Sequence, residues 1–133
     1  MDEQGLTTVA SQWPAATTVE RLEAAVAAAG LTVFARVDHA RNAREVGLPL
    51  RPTFLLVFGN PRGGTLLMQD NQVAGIDLPL KFLVWADEDD QAWVTYDRVE
   101  WIAGRHGLSE KTADVVATTA AALDRLARHA TGD

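Results

Sequence analysis

The sequence predicts an α+β fold: one domain built on a mixed or antiparallel sheet of about five strands, with helices packed on one face. Three observations carry this. Short apolar segments of β-type composition alternate with stretches of helical period in the order β-α-β-(α)-β-α-β-β-α-α. The two most apolar strands have apolar side chains on both faces, so each needs cover on both sides. The chain of 133 residues, 47% hydrophobic and 23% charged, is sized for a single core.

Residues 6–12 alternate Leu, Val and two Thr and form a strand stopped by Trp13-Pro14. Thr17 and Glu20 have capping-box spacing. Leu22, Val26 and Ala29 then recur on one helical face, and Gly30 stands where a C′ glycine ends a helix. Residues 31–37 form the next strand, and residues 40–46 a short helix ended by Gly47, with Pro49 keeping Leu48 extended. The uninterrupted apolar run 53–58 is an internal strand. Asn60 is a suitable N-cap and Pro61 a suitable first helical residue for the helix that follows.

Residues 80–86 and 92–96 pair as a hairpin across the acidic turn 87–90. Residues 98–104 form a short helix, and Ser109 caps a long one. On that last helix Val116, Ala120, Leu123 and Ala127 make one apolar stripe, and Val115, Thr119, Ala122 and Leu126 a second beside it. The single domain is expected over residues 6–130, with 1–5 and 131–133 as loose termini.

Charge and composition exclude several functions. A net charge of −6, from 12 basic residues scattered among 18 acidic ones, argues against a nucleic-acid surface. No cysteine is present, so disulfides, thiolate metal sites and a cysteine nucleophile are excluded. The acidic N-terminus lacks a basic and an apolar signal region, which makes the cytoplasm the expected compartment. No run approaches the ~18–20 apolar residues of a membrane span.

The candidate chemistry lies at strand ends. The helix after Asn60 begins with Arg62, Gly63, Gly64 and Thr65, whose free N–H groups at a positive helix end, beside Arg62, could cradle a small anion such as a carboxylate or phosphate. The segment lacks the Gly-Lys-Ser/Thr ending of a nucleotide phosphate loop. The simpler reading of the glycines is close helix–sheet packing. Arg51, Asp77, Lys81 and His39 flank the buried strands and could converge near this helix. His39 and Asp77 could form an acid–base pair, while a structural Arg51–Asp77 ion pair, with His39 capping its helix, accounts for the same residues without an enzyme and is the preferred reading. No cofactor is expected. His39, His106 and Asp77 or Met68 lack metal-ligand spacing, so no metal is expected either, and Met68 reads as core filler. Trp85, Trp93, Tyr96 and Trp101 crowd one region and are either an interface or a core cluster.

The motifs Asp38-His39, Leu50-Arg51-Pro52, Phe58-Gly59-Asn60-Pro61, Leu67-Met68 and Asp77-Leu78-Pro79-Leu80-Lys81, taken in order, resemble the family known as domain of unknown function 302. That family more often has Lys-Ala-Gly-Thr-Pro where this chain has Arg62-Gly63-Gly64-Thr65-Leu66. The resemblance implies a compact α+β domain, commonly a homodimer, with no established activity. The reading from sequence is therefore a homodimeric domain binding a small anion beside Asn60. A structural or protein-interaction module without a ligand site is the alternative, and an enzyme using His39 and Asp77 a further one.

Overall fold

The computed structural model describes residues 4–132. Strands β1 (Leu6–Ala10), β2 (Thr32–Asp38), β3 (Thr53–Gly59), β4 (Leu80–Ala86) and β5 (Ala92–Asp97) form one sheet in the order β1-β5-β4-β3-β2. Every neighbouring pair is antiparallel, so the mixed alternative falls away. The hairpin turn between β4 and β5 is organised by Asp87, whose Oδ1 accepts the N–H groups of Asp89 (2.9 Å) and Gln91 (3.0 Å). Its other carboxylate oxygen accepts the Trp93 indole N–H at 2.9 Å.

Helices α1 (Ala15–Ala28) and α5 (Ala113–Thr131) pack on each other and on one sheet face. Leu22 and Val26 of α1 and Leu123 and Ala127 of α5 meet Leu56, Phe58, Phe82, Val84 and Val94 of the sheet in one core. Phe82 is its centre. It stacks on Phe58 (centroids 4.9 Å apart) and meets Tyr96 edge-on at 5.1 Å, a geometry that adds to simple burial. The strand residues alternating with this set, among them Leu55, Leu83, Trp85 and Trp93, turn to the other face.

α1 ends as its sequence requires. Gly30 takes φ +77°, its N–H bonds Ala27 O at 3.0 Å, and the Leu31 N–H bonds Val26 O at 3.1 Å, completing a Schellman motif. Its start differs from the expected Thr17–Glu20 capping box. Pro14 is the N-cap, and its carbonyl takes the Thr18 N–H at 2.8 Å, so Thr17 lies inside the helix. Buried Thr18 turns its hydroxyl to Ser11 (2.7 Å), tying α1 to the end of β1. The tertiary bond outweighs the local signal.

Helix α2 (His39–Glu45) is capped by Asp38, which accepts the Arg41 N–H at 2.9 Å, and His39 is its first residue rather than its cap. Helix α3 (Pro61–Asp70) is followed by a 3₁₀ segment (Gln72–Asp77), and α4 (Val99–Arg105) by a 3₁₀ turn (Glu110–Thr112). Ser109 caps that turn rather than α5. Thr131, expected in a loose tail, is the buried last residue of α5. The aromatic group divides: Tyr96 is core, Trp85 and Trp93 stack on the opposite sheet face at 6.2 Å, and Trp101 lies over Gly5, where any Cβ would collide with the indole.

Candidate ligand cavity

The β3–α3 junction forms as its residues dictate. Asn60 is extended, its Oδ1 accepts the Arg62 N–H at 3.0 Å, and Pro61 takes the first helical position. The Asn60 carbonyl accepts the Gly64 N–H at 2.9 Å, and Thr65 Oγ1 donates to Pro61 O at 2.7 Å. Of the N–H groups expected to face an anion, those of Arg62 and Gly64 are thus engaged within the helix start. The Gly63 N–H carries neither bond, and with Oδ1 occupied the Asn60 side chain presents its NH₂ as a donor.

In front of this turn lies a cavity of about 250 Å³, bounded by α3, α5, the β3 end and the segment leading into β4. Buried Phe58, Leu67, Leu123 and Leu126 supply its apolar floor, together with Leu78, Leu80 and Met68. The exposed lining residues Phe34, Asn60, Pro79 and Thr118 form its rim. Gly59, Gly63 and Gly64 make one wall of bare backbone. The lining contains no charged side chain, which suits a mainly apolar guest with a few polar contacts.

Two aspartates fix the cavity's outer frame. Asp70, the last residue of α3, accepts the Ser109 N–H (2.7 Å), the Ser109 hydroxyl (3.0 Å) and the Thr112 hydroxyl (3.0 Å). The Ser109 N–H first, then the two hydroxyls and the charge of Lys111, hold its carboxyl below the ordinary aspartate range. Asp77 meets His106 Nε2 at 2.6 Å and Arg105 at 3.0 Å. The His106 side chain is only 7% exposed and that of Asp77 14%. Asn71 adds a bond to the His106 carbonyl at 2.7 Å. The α3–β4 connection is therefore fastened to the α4–α5 connection at both ends.

The family profile described as Domain of unknown function DUF302 matches residues 7–126. The chain belongs to this family. A crystal structure of an uncharacterized conserved DUF302 protein from Bacillus stearothermophilus superposes with a TM-score of 0.83 at 20% identity, covering 95% of this chain and 98% of that one. Its likeness establishes the fold. Proteins named fluoride-specific ion channel FluC 1 from Brucella suis biovar 1 (strain 1330) and FluC 1 from Brucella abortus biovar 1 (strain 9-941) are each 40% identical over 131 residues. The match takes in 98% of this chain, and 52% and 48% of those proteins respectively. The chain spans about half the length of the curated relatives it matches. Among the described residues no helix is long and apolar enough to cross a membrane.

In this DUF302 domain the residues singled out from sequence do not all converge. Asn60, Gly63 and Gly64 line the cavity, while Arg62 and Thr65 of the same turn are exposed outside it. Lys81 follows the cavity residue Leu80 on β4 and so turns to the opposite sheet face. Arg51 is exposed, lies near Asp87 and acts on that carboxylate by its charge. The expected Arg51–Asp77 pair is replaced by Arg105 and His106, and the expected His39–Asp77 acid–base pair does not form, because Asp77 is committed to His106. Met68, read as core filler, lines the cavity. The signal for the far wall was present in the width of the apolar face on α5: Thr119, Ala122 and Leu126 of its second stripe border the void.

Proposed function

We propose that this domain binds a small amphiphilic anion, a carboxylate with an apolar body, in the cavity beside α3. The observation that carries the reading is the Gly63-Gly64 pair. Each glycine costs a helix about 0.5–1 kcal/mol relative to alanine, and no neighbour requires the missing methyl. A Cβ at Gly63 would stand 3.8 Å from Val115 and one at Gly64 4.0 Å from Leu78, both ordinary contacts. Packing does not account for the pair, whereas preserving the void does. The floor favours an apolar body. The Asn60 amide, the Gly63 N–H and the positive end of α3 favour an anionic head at the rim, with Arg62 adding a mobile charge nearby.

Thermal shift with straight-chain carboxylates and the matching primary alcohols tests this. The carboxylates should raise the melting temperature more than the alcohols, increasingly with chain length until the cavity is full. Gly64→Leu, which fills the void, should abolish the effect. Equal shifts in both proteins would mean a general salt effect and end the proposal. Because the Brucella relatives bear the name of a fluoride channel, sodium fluoride belongs in the panel beside sodium chloride; a rise specific to fluoride would replace the amphiphile with a halide.

A second proposal concerns the sheet face turned away from α1 and α5. Leu55, Leu83, Trp85 and Trp93 make it largely apolar, and we propose that it packs against a second copy. Sedimentation at micromolar concentration should give twice the 14.4 kDa chain mass. A monomer there, or a dimer unaffected by Leu83→Glu, would refute it.

A further inference from the structure

We infer that Met68 is the end stop of the cavity and sets the length of ligand accepted, an inference that rests on the amphiphile reading above. Asn60, Gly63, Gly64, Leu67 and Met68 recur at helical spacing on the cavity side of α3. The eight-residue step from Asn60 to Met68 makes the stripe about 12 Å long at the α-helical rise. The cavity therefore runs along the helix, with the Asn60 amide and the Gly63 backbone at one end and Met68 at the other.

Behind Met68 stands Gly75 of the 3₁₀ segment. A Cβ there would lie 3.0 Å from Met68 Sδ and 3.7 Å from its Cγ. Gly75 is thus the recess that receives the thioether and keeps it out of the void. Its backbone φ is not in the left-handed region that demands glycine, so the recess is the geometric reason for glycine here. A thioether on an unbranched chain is also the side chain most able to yield when that recess is altered. The length of the cavity then depends on two residues whose changes act in opposite directions: Met68→Ala removes the stop, and Gly75→Ala presses the stop inward.

The test is competitive displacement of an environment-sensitive dye by saturated carboxylates of increasing chain length, measured on wild type, Met68→Ala and Gly75→Ala, with circular dichroism confirming that each is folded. Each methylene that finds apolar cover should improve Kd about fourfold until the stop is met. The break in that series should move to longer chains in Met68→Ala and to shorter ones in Gly75→Ala. A wild-type break that stays put in both variants overturns the end stop while leaving carboxylate binding standing. No chain-length dependence in the wild type removes the amphiphile reading and the end stop together.

Discussion

Gly64→Ala should make this protein more stable and a poorer binder at once. The new methyl would stand 4.0 Å from Leu78 Cδ1, close enough for dispersion contact and far enough to avoid displacement. Gly64 is helical, so alanine gains the propensity difference of about 0.8–1 kcal/mol, and partial cover of one methyl adds a few tenths. A net gain of about 1 kcal/mol corresponds to a rise of roughly 3–5 °C in Tm for a chain of this size. Urea unfolding followed by tryptophan fluorescence should show a higher midpoint with an unchanged m value. If the glycine serves close packing instead, overpacking costs about 1–3 kcal/mol and the sign reverses. A destabilised Gly64→Ala would therefore refute the argument that the bare wall is kept for a guest. So would a stabilised variant that binds carboxylates as tightly as the wild type.

Asp77→Ala should cost about 3 kcal/mol, because it leaves the nearly buried His106 without its carboxylate, whereas Arg105→Ala, removing a half-exposed partner, should cost less than about 1 kcal/mol in the same denaturant melts. Comparable losses would contradict the view that His106 is the partner that matters. Asn60→Ala should lose about 1 kcal/mol through the N-cap and also weaken carboxylate binding; a stability loss with unchanged binding would move the head group elsewhere. Acidification should weaken the fold through Asp70. Its carboxyl titrates below the ordinary value of 3.8, so its contribution is complete above that pH and is lost as the pH falls through the lower, folded-state value. Asp70→Asn should flatten stability against pH below about 3.8, and an unchanged slope would assign the acid sensitivity to another group.

What could be read from sequence follows how local each determinant is. The β3–α3 junction was legible because Asn60 and Pro61 act on N–H groups one to three residues away, and the end of α1 because Gly30 answers only to its own backbone. The start of α1 was misread because Ser11 and Thr18 bind each other across Pro14, a contact that competes with the Thr17–Glu20 signal. The partner of Asp77 was not legible: Arg51 and Arg105 are equivalent as charges, and only the docking of α4 beside the 3₁₀ segment selects the latter. The cavity was half legible. Its Asn60 end announced itself, but an empty space has no residue of its own, and its other walls come from elements far apart in sequence.

The pairing of β1 with β5 has a consequence for how the molecule is made. Leu6 lies opposite Asp97 and Ala10 opposite Trp93, so β1, the first strand of this sheet in chain order, has no sheet neighbour until β5 has been synthesised. The last helix completes the enclosure. The Gly132 carbonyl accepts the Trp13 indole N–H at 2.7 Å and the Gln12 amide at 2.7 Å, while Arg21 reaches the His129 carbonyl at 2.8 Å. Beginning and end hold each other in place, whereas the antiparallel pairs β2–β3, β3–β4 and β4–β5 can form as they emerge. Until β5 and α5 have emerged, β4 presents an open edge and the core lacks one of its two main helices, which makes the partly synthesised domain the species most exposed to misassociation and to chaperone capture.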